Sequence, residues 1–146
     1  MLQELYQELI LDHGRKPRNF GVIDNVTLSE EGYNPLCGDR IKVYLIAKDD
    51  MIVDVKFSGE GCAICIASSS LMTEAIKGIS LQDAHRLFDV FHESLLGTDI
   101  DETALNKKLR VFNGVKKYPM RVKCATLPWH TLVAALKQED SVVSTE

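Results

Sequence analysis

The chain lacks any run of about 18 apolar residues, so no transmembrane helix is expected. Its first fourteen residues, MLQELYQELILDHG, have no basic lead and carry Glu4, Glu8 and Asp12 through the apolar stretch. A secretory signal has the opposite pattern, so the expected location is the cytoplasm. There is no excess of positive charge: 17 basic against 21 acidic residues give −4, which argues against nucleic acid as the main partner. Proline is scarce, at four, and no linker or repeat divides the 146 residues. One domain over residues 1–137, with a polar tail at 138–146, is the expected layout. Histidine adjoins none of the four cysteines, and no Cys-x-x-Cys pair recurs at zinc-finger spacing. A core of this size needs no disulfides, and a reducing compartment would not keep them. Four thiols there point to metal or sulfur chemistry.

What is present reads as one helix, then strands, then helices. Leu2, Leu5, Tyr6, Leu9 and Ile10 recur at helical spacing before Gly14 and Pro17, predicting a helix over Leu2–His13. Polar residues 15–25 read as a loop. Strands are expected at Val26–Glu31, Ile41–Lys48 and Ile52–Gly59, the last with Val53, Val55 and Phe57 on one side. Asp49-Asp50 gives a tight antiparallel hairpin. Helices are expected at Ala63–Lys77, from a Ser80 cap to about Glu93, weakly at Asp101–Asn113, and around Leu127–Leu136. Pro128 lies in the first turn of the last helix, or kinks it if the helix begins near Arg121. The fold class is therefore α+β: two layers, with a small three-stranded antiparallel sheet covered by helices on one face.

Acidic residues are missing altogether from Thr103 to Gln138, where Lys107, Lys108, Arg110, Lys116, Lys117, Arg121, Lys123 and Lys137 lie. The stretch is either a solvated basic face or a docking patch beside an anionic site.

Three cysteines have suggestive surroundings. Cys37 and Asp39 flank Gly38 in a loop, and in extended chain residues two apart face one side, so both could reach one metal ion. An ordinary Gly-Asp turn beside a buried thiol would look the same. Cys62 follows Gly59-Glu60-Gly61 at a helix start, where amide N–H groups and the dipole favour thiolate. Cys124 is flanked by Arg121 and Lys123, which also favours thiolate. Cys65, among Ile64, Ile66 and Ala67, reads as core. Cys62-x-x-Cys65 is formally a redox motif, but it follows a hairpin rather than the first strand of a βαβ unit. His13, His85, His92 and His130 read as surface or half-buried residues.

The runs Asn34-Pro-Leu-Cys37-Gly-Asp39, Gly59-Glu-Gly-Cys62-Ala-Ile with Ala67-Ser-Ser-Ser70, and Cys124-Ala-Thr-Leu-Pro-Trp129 resemble the IscU-like iron–sulfur assembly proteins across nearly the whole chain. The long span from Cys62 to Cys124, Lys123 where IscU has histidine, and the missing Leu-Pro-Pro-Val-Lys motif resemble the SufU branch. The resemblance implies the IscU/SufE-like fold and zinc held by Cys37, Asp39, Cys62 and Cys124. It implies that Cys37 accepts persulfide sulfur from a SufS-like cysteine desulfurase and passes it to downstream iron–sulfur assembly proteins. Arg121 is expected beside Asp39 or the thiolates, offsetting their charge. The alternative is a scaffold holding iron or a nascent iron–sulfur cluster on largely the same residues.

Overall fold

The structure is a computed structural model describing residues 2–97 and 105–145, with side chains at 4–97 and 105–138. The elements are α1 (Leu2–Arg15), β1 (Leu28–Asn34), β2 (Asp39–Lys48), β3 (Met51–Glu60), α2 (Ala63–Ile76), α3 (Leu81–Leu95), a 3-10 helix (Leu109–Val115) and α4 (Pro119–Thr145). The three strands form one antiparallel sheet in the order β1-β2-β3. Ile41, Val43 and Leu45 are fully buried on its inner face against the helices. The expected α+β two-layer fold is therefore present.

The β2–β3 hairpin turns on Asp49 and Asp50 at φ of 54° and 64°, as a two-residue turn between twisted strands requires. Beyond it lies a register shift at Ile46/Ala47. That bulge corrects the expected alternation of β3. Ile52 goes into the core at 0% exposure, and Val53 is pushed out at 47%. The first strand is also displaced, to Leu28–Asn34 rather than Val26–Glu31. Its inner side carries Gly32, where a Cβ would collide with Thr131 Oγ1 of α4. Close helix approach selects glycine there, and the strand loses its apolar alternation. The loop after α1 is partly ordered by pairing: the Gly21 amide bonds Phe57 O, and Phe57 N–H bonds Asn19 O. This covers part of the β3 edge.

Helix α2 is buried on nearly every side, from Cys65 through Thr73 and at Ile76. Its serines are satisfied internally. Ser68 Oγ donates to Ala125 O of α4 at 2.5 Å, and Ser69 Oγ to Cys65 O at 2.9 Å. Ser80 caps α3 through the Asp83 amide at 3.0 Å, as expected. Within the expected helix over Asp101–Asn113, the first four residues lie outside the described ones. The described residues 105–108 are not helical, and Leu109–Asn113 are 3-10 rather than α, within the 3-10 helix at Leu109–Val115. That short piece packs Leu109, Val111 and Phe112 into the core. Pro128 lies well inside α4, which starts at Pro119. With no N–H at Pro128, the helix loses a bond to the Cys124 carbonyl. The α4 backbone runs on to Thr145.

His13 is a further correction, since it is 2% exposed rather than half-buried. Ser70 Oγ accepts the Arg18 amide at 2.8 Å and lies 2.7 Å from His13 Nδ1. The network assigns the Ser70 proton to Nδ1, leaving the Nε2 proton toward Glu74 Oε1 at 3.8 Å. The order Ser–His–Glu resembles a hydrolase triad, but Ser70 is sealed from solvent at 0% exposure. It ties α1 to α2 instead. Burial first, then the Arg18 charge, hold the His13 pKa below its usual value, with Glu74 and Asp12 opposing and Lys108 adding to the depression. His130 is lowered in the same sense, by burial and then by His92. A histidine depressed in the folded state contributes stability that is complete above its unfolded pKa of about 6.5 and lost as pH falls below it. Urea unfolding of the metal-free protein from about pH 7 to pH 5 is expected to show stability falling with acid. His13→Gln is expected to flatten that slope; an unchanged slope would exclude His13 as its source.

Candidate metal centre

Cys37 stands on the turn joining β1 to β2. The turn is closed by Gly38 N–H to Asn34 O at 2.8 Å and by Leu36 N–H to Asn34 Oδ1 at 3.1 Å. Gly38 takes φ of +72°, and a Cβ there would meet nothing within 4 Å. The Cys37 side chain is therefore exposed on a turn with room to move.

Asp39 opens β2 and is 1% exposed. Its Oδ1 accepts the Cys62 amide at 3.0 Å, so it caps α2 from another element. Cys62 itself is the N-cap residue, extended at φ −69° and ψ 167°, and its thiol makes no capping bond. Gly61 permits this approach, since a Cβ there would lie 2.8 Å from Asp39 Oδ1. The other carboxylate oxygen, Oδ2, is buried without a hydrogen-bond partner.

Cys124 lies in the second turn of α4, 4% exposed, and its thiol donates toward Cys37 Sγ at 3.5 Å. The donor atoms of Cys37, Asp39 and Cys124 lie within 4.8 Å of one another, the only such group of three among the described residues. Cys62 falls outside that tight group but lines the same cleft of about 360 Å³, with Cys37, Ala63, Ile64, Met120, Arg121 and Cys124. Cys65 is fully buried in the core.

The electrostatics correct one expectation. Basic neighbours in sequence do not make Cys124 acidic. Burial raises its thiol pKa, and the neighbouring Asp39, Cys37 and Cys62 raise it further. Lys123 points to solvent, and the Arg121 guanidinium stands 4.7 Å over the Tyr118 ring while lining the cleft. Cys65 is raised too, by burial first and the Asp39 charge second. Cys65 is closed in the core and does not line the cleft that Cys62 lines, so it is poorly placed for a Cys62–Cys65 redox pair.

The residues fit a divalent metal. An orphaned buried carboxylate oxygen beside gathered thiols is costly unless a cation offsets it. Two thiolates on one tetrahedral zinc stand about 3.8 Å apart, given a zinc–sulfur bond of about 2.3 Å. The 3.5 Å between Cys37 and Cys124 is close to that spacing. Thiolates and a carboxylate suit zinc and iron alike. Sequence reasoning missed the capping role of Asp39 and the cleft walls at Ile64 and Met120. These depend on how α2 and α4 pack, which spacing does not encode.

Residues 5–138 match the model of the NifU-like N terminal domain. The zinc-dependent sulfurtransferase SufU of Bacillus subtilis is 39% identical over 95% of this chain and 94% of its own. The iron–sulfur cluster assembly scaffold protein IscU of Thermotoga maritima is 40% identical over 92% of this chain and 94% of its own. A crystal structure from Fervidobacterium islandicum, of a putative iron–sulfur cluster assembly scaffold protein for the SUF system, superposes with a TM-score of 0.86 at 42% identity. It covers 92% of this chain and 98% of that one.

Proposed function

From the premise that the chain belongs to the NifU-like N-terminal domain family, with SufU and IscU iron–sulfur assembly proteins as its relatives, we propose that it is a zinc-dependent sulfur acceptor for iron–sulfur cluster assembly. Cys37, Asp39, Cys62 and Cys124 would hold the zinc, which supplies a positive centre that keeps bound sulfur as thiolate. The chain's own residues divide the remaining work. Cys37, on the open turn beside Gly38, is the thiol able to reach a partner. Cys62 and Cys124 are anchored to helices, and Asp39 is pinned by the Cys62 amide. In the transfer, Cys37 thiolate attacks the terminal sulfur of a desulfurase persulfide. A new sulfur–sulfur bond forms on Cys37, and the donor cysteine leaves as thiolate. The partner is a SufS-like cysteine desulfurase, with iron–sulfur assembly proteins receiving the sulfur afterwards, in the cytoplasm. The face exposing Cys37, with Arg121 lining the same cleft, is the docking side.

The supporting observation is the tight Cys37–Asp39–Cys124 group with its orphaned Asp39 oxygen beside an exposed cysteine. The test incubates the protein with a desulfurase and cysteine and maps persulfide by mass spectrometry. Sulfur is expected on Cys37; sulfur on Cys62 or Cys65 with Cys37 untouched overturns the assignment. The scaffold reading is kept by the name of the Thermotoga relative. Metal analysis after anaerobic purification separates the two. About one zinc per chain and no visible absorption fits the acceptor, and a brown protein with iron and labile sulfide fits the scaffold.

Arg121 lines the cleft, and in this reading it offsets the negative charge of the thiolates. Arg121→Ala is expected to weaken zinc retention about 10-fold or slow sulfur acceptance, with the fold intact. A chelator competition and a transfer assay read this, and no change in either removes the role.

A further inference from the structure

Two thiols 3.5 Å apart can do something other than share a metal. Cys37 is exposed and Cys124 is 4% exposed behind it. A peroxide entering the cleft can reach the exposed Cys37, and the Cys124 sulfur lies 3.5 Å from it. A disulfide requires the sulfurs to close by about 1.5 Å, from 3.5 Å to about 2.0 Å. Cys124 is held in α4, so the movement falls to Cys37. The turn allows it, because Cys37 is exposed and a Cβ at the adjoining Gly38 would meet nothing within 4 Å.

We propose that Cys37 and Cys124 are a modification site: without metal, hydrogen peroxide joins them in a reversible disulfide that leaves Cys62 and Cys65 as thiols. In the first step the Cys37 sulfur attacks a peroxide oxygen, the oxygen–oxygen bond breaks, and sulfenic acid and one water form. In the second, the Cys124 sulfur attacks Cys37 and displaces the hydroxyl as a second water. Two thiols are oxidised by two electrons in all, hydrogen peroxide is reduced, and both thiol protons end in water. Thiol reductant reverses the bond.

Cys62 is the natural competitor, since it lines the same cleft and is exposed. It stands outside the tight group of donors, and its backbone is fixed by the bond to Asp39. Cys65 is closed off in the core. The disulfide would lock the sulfur-accepting thiol and remove two of the metal donors at once. That consequence rests on the acceptor reading given above, whereas the cross-link itself does not.

The test uses full-length protein stripped of metal by chelation under reductant, desalted, and treated with equimolar hydrogen peroxide. Free thiols are then alkylated, and a non-reduced tryptic digest is mapped. The expected result is the Cys37 peptide joined to the Cys124 peptide, with Cys62 and Cys65 alkylated. Dithiothreitol should restore both thiols and zinc uptake. Cys62→Ser should keep the cross-link, and Cys124→Ser should send Cys37 on to sulfinic acid. A Cys62–Cys124, Cys37–Cys62 or Cys62–Cys65 cross-link as the main product overturns the proposal, as does sulfinic acid on Cys37 of the unaltered chain without any cross-link. No desulfurase enters this experiment and no peroxide enters the persulfide mapping, so the two readings fail separately.

Discussion

Asp39→Asn is expected to strip the site of its metal affinity while leaving the metal-free fold as stable as before, or slightly more so. Asparagine keeps an oxygen where Oδ1 accepts the Cys62 amide, so the cap on α2 survives. What is lost is the charge and the second oxygen, Oδ2, which has no hydrogen-bond partner within the protein. A buried carboxylate next to thiols is unfavourable without a cation, so its removal does not weaken the empty site. Replacing a residue that merely orients a ligand costs 10- to 100-fold in metal affinity, and removing a ligand should exceed about 100-fold. Asp39→Ala adds the loss of the cap, about 1 kcal/mol, and separates the two roles. Chelator competition measures affinity, and thermal unfolding with and without zinc measures linkage. Wild-type protein should gain stability on zinc addition and Asp39→Asn little or none. Undiminished zinc affinity in Asp39→Asn would remove Asp39 from the ligand set.

Trp129→Ala is expected to cost about 3–5 kcal/mol, a large share of a total of about 5–15 kcal/mol for a domain. The indole is fully buried and stacks on Phe91 at 4.6 Å between ring centroids. Its Nε1–H donates to Ser68 Oγ at 3.1 Å, and that hydroxyl donates onward to Ala125 O. One side chain thus joins α3, α4 and α2. Trp129→Phe keeps an aromatic face toward Phe91 but loses the donor and part of the ring volume, for about 1–3 kcal/mol. Urea unfolding at fixed zinc would read both. A cost below about 1 kcal/mol for the alanine variant would mean that the site repacks and that the stack carries little.

Local signals carried much of the fold. Asp49-Asp50, the apolar side of β2, the Ser80 cap and the helix start at Cys62 each depend on near neighbours and were legible. The bulge at Ile46/Ala47, the glycine-thinned β1 and the burial of His13 depend on what packs opposite, and one-dimensional periodicity does not reach that. At the site, chain spacing picked out Cys37 and Asp39 as facing one way. Their meeting with Cys124 comes from α4 lying beside α2. The charge argument for Cys124 failed for the same reason: Lys123 is exposed while the thiol is buried.

Cys37 and Cys124 are 87 residues apart in the chain. Anything that bridges them, ion or covalent bond, works as a clasp between the early hairpin and the last helix. Closing a loop of that length costs a flexible chain about 4 kcal/mol of entropy, which a clasp makes in advance. The site therefore belongs to the protein's mechanical integrity as well as its chemistry. Were Cys37 handed to a partner, the clasp would open, and the grip of the first strand on α4 would rest on the close seating of Gly32 against Thr131 and on the Gln138 Nε2–Glu30 Oε2 hydrogen bond at 2.6 Å.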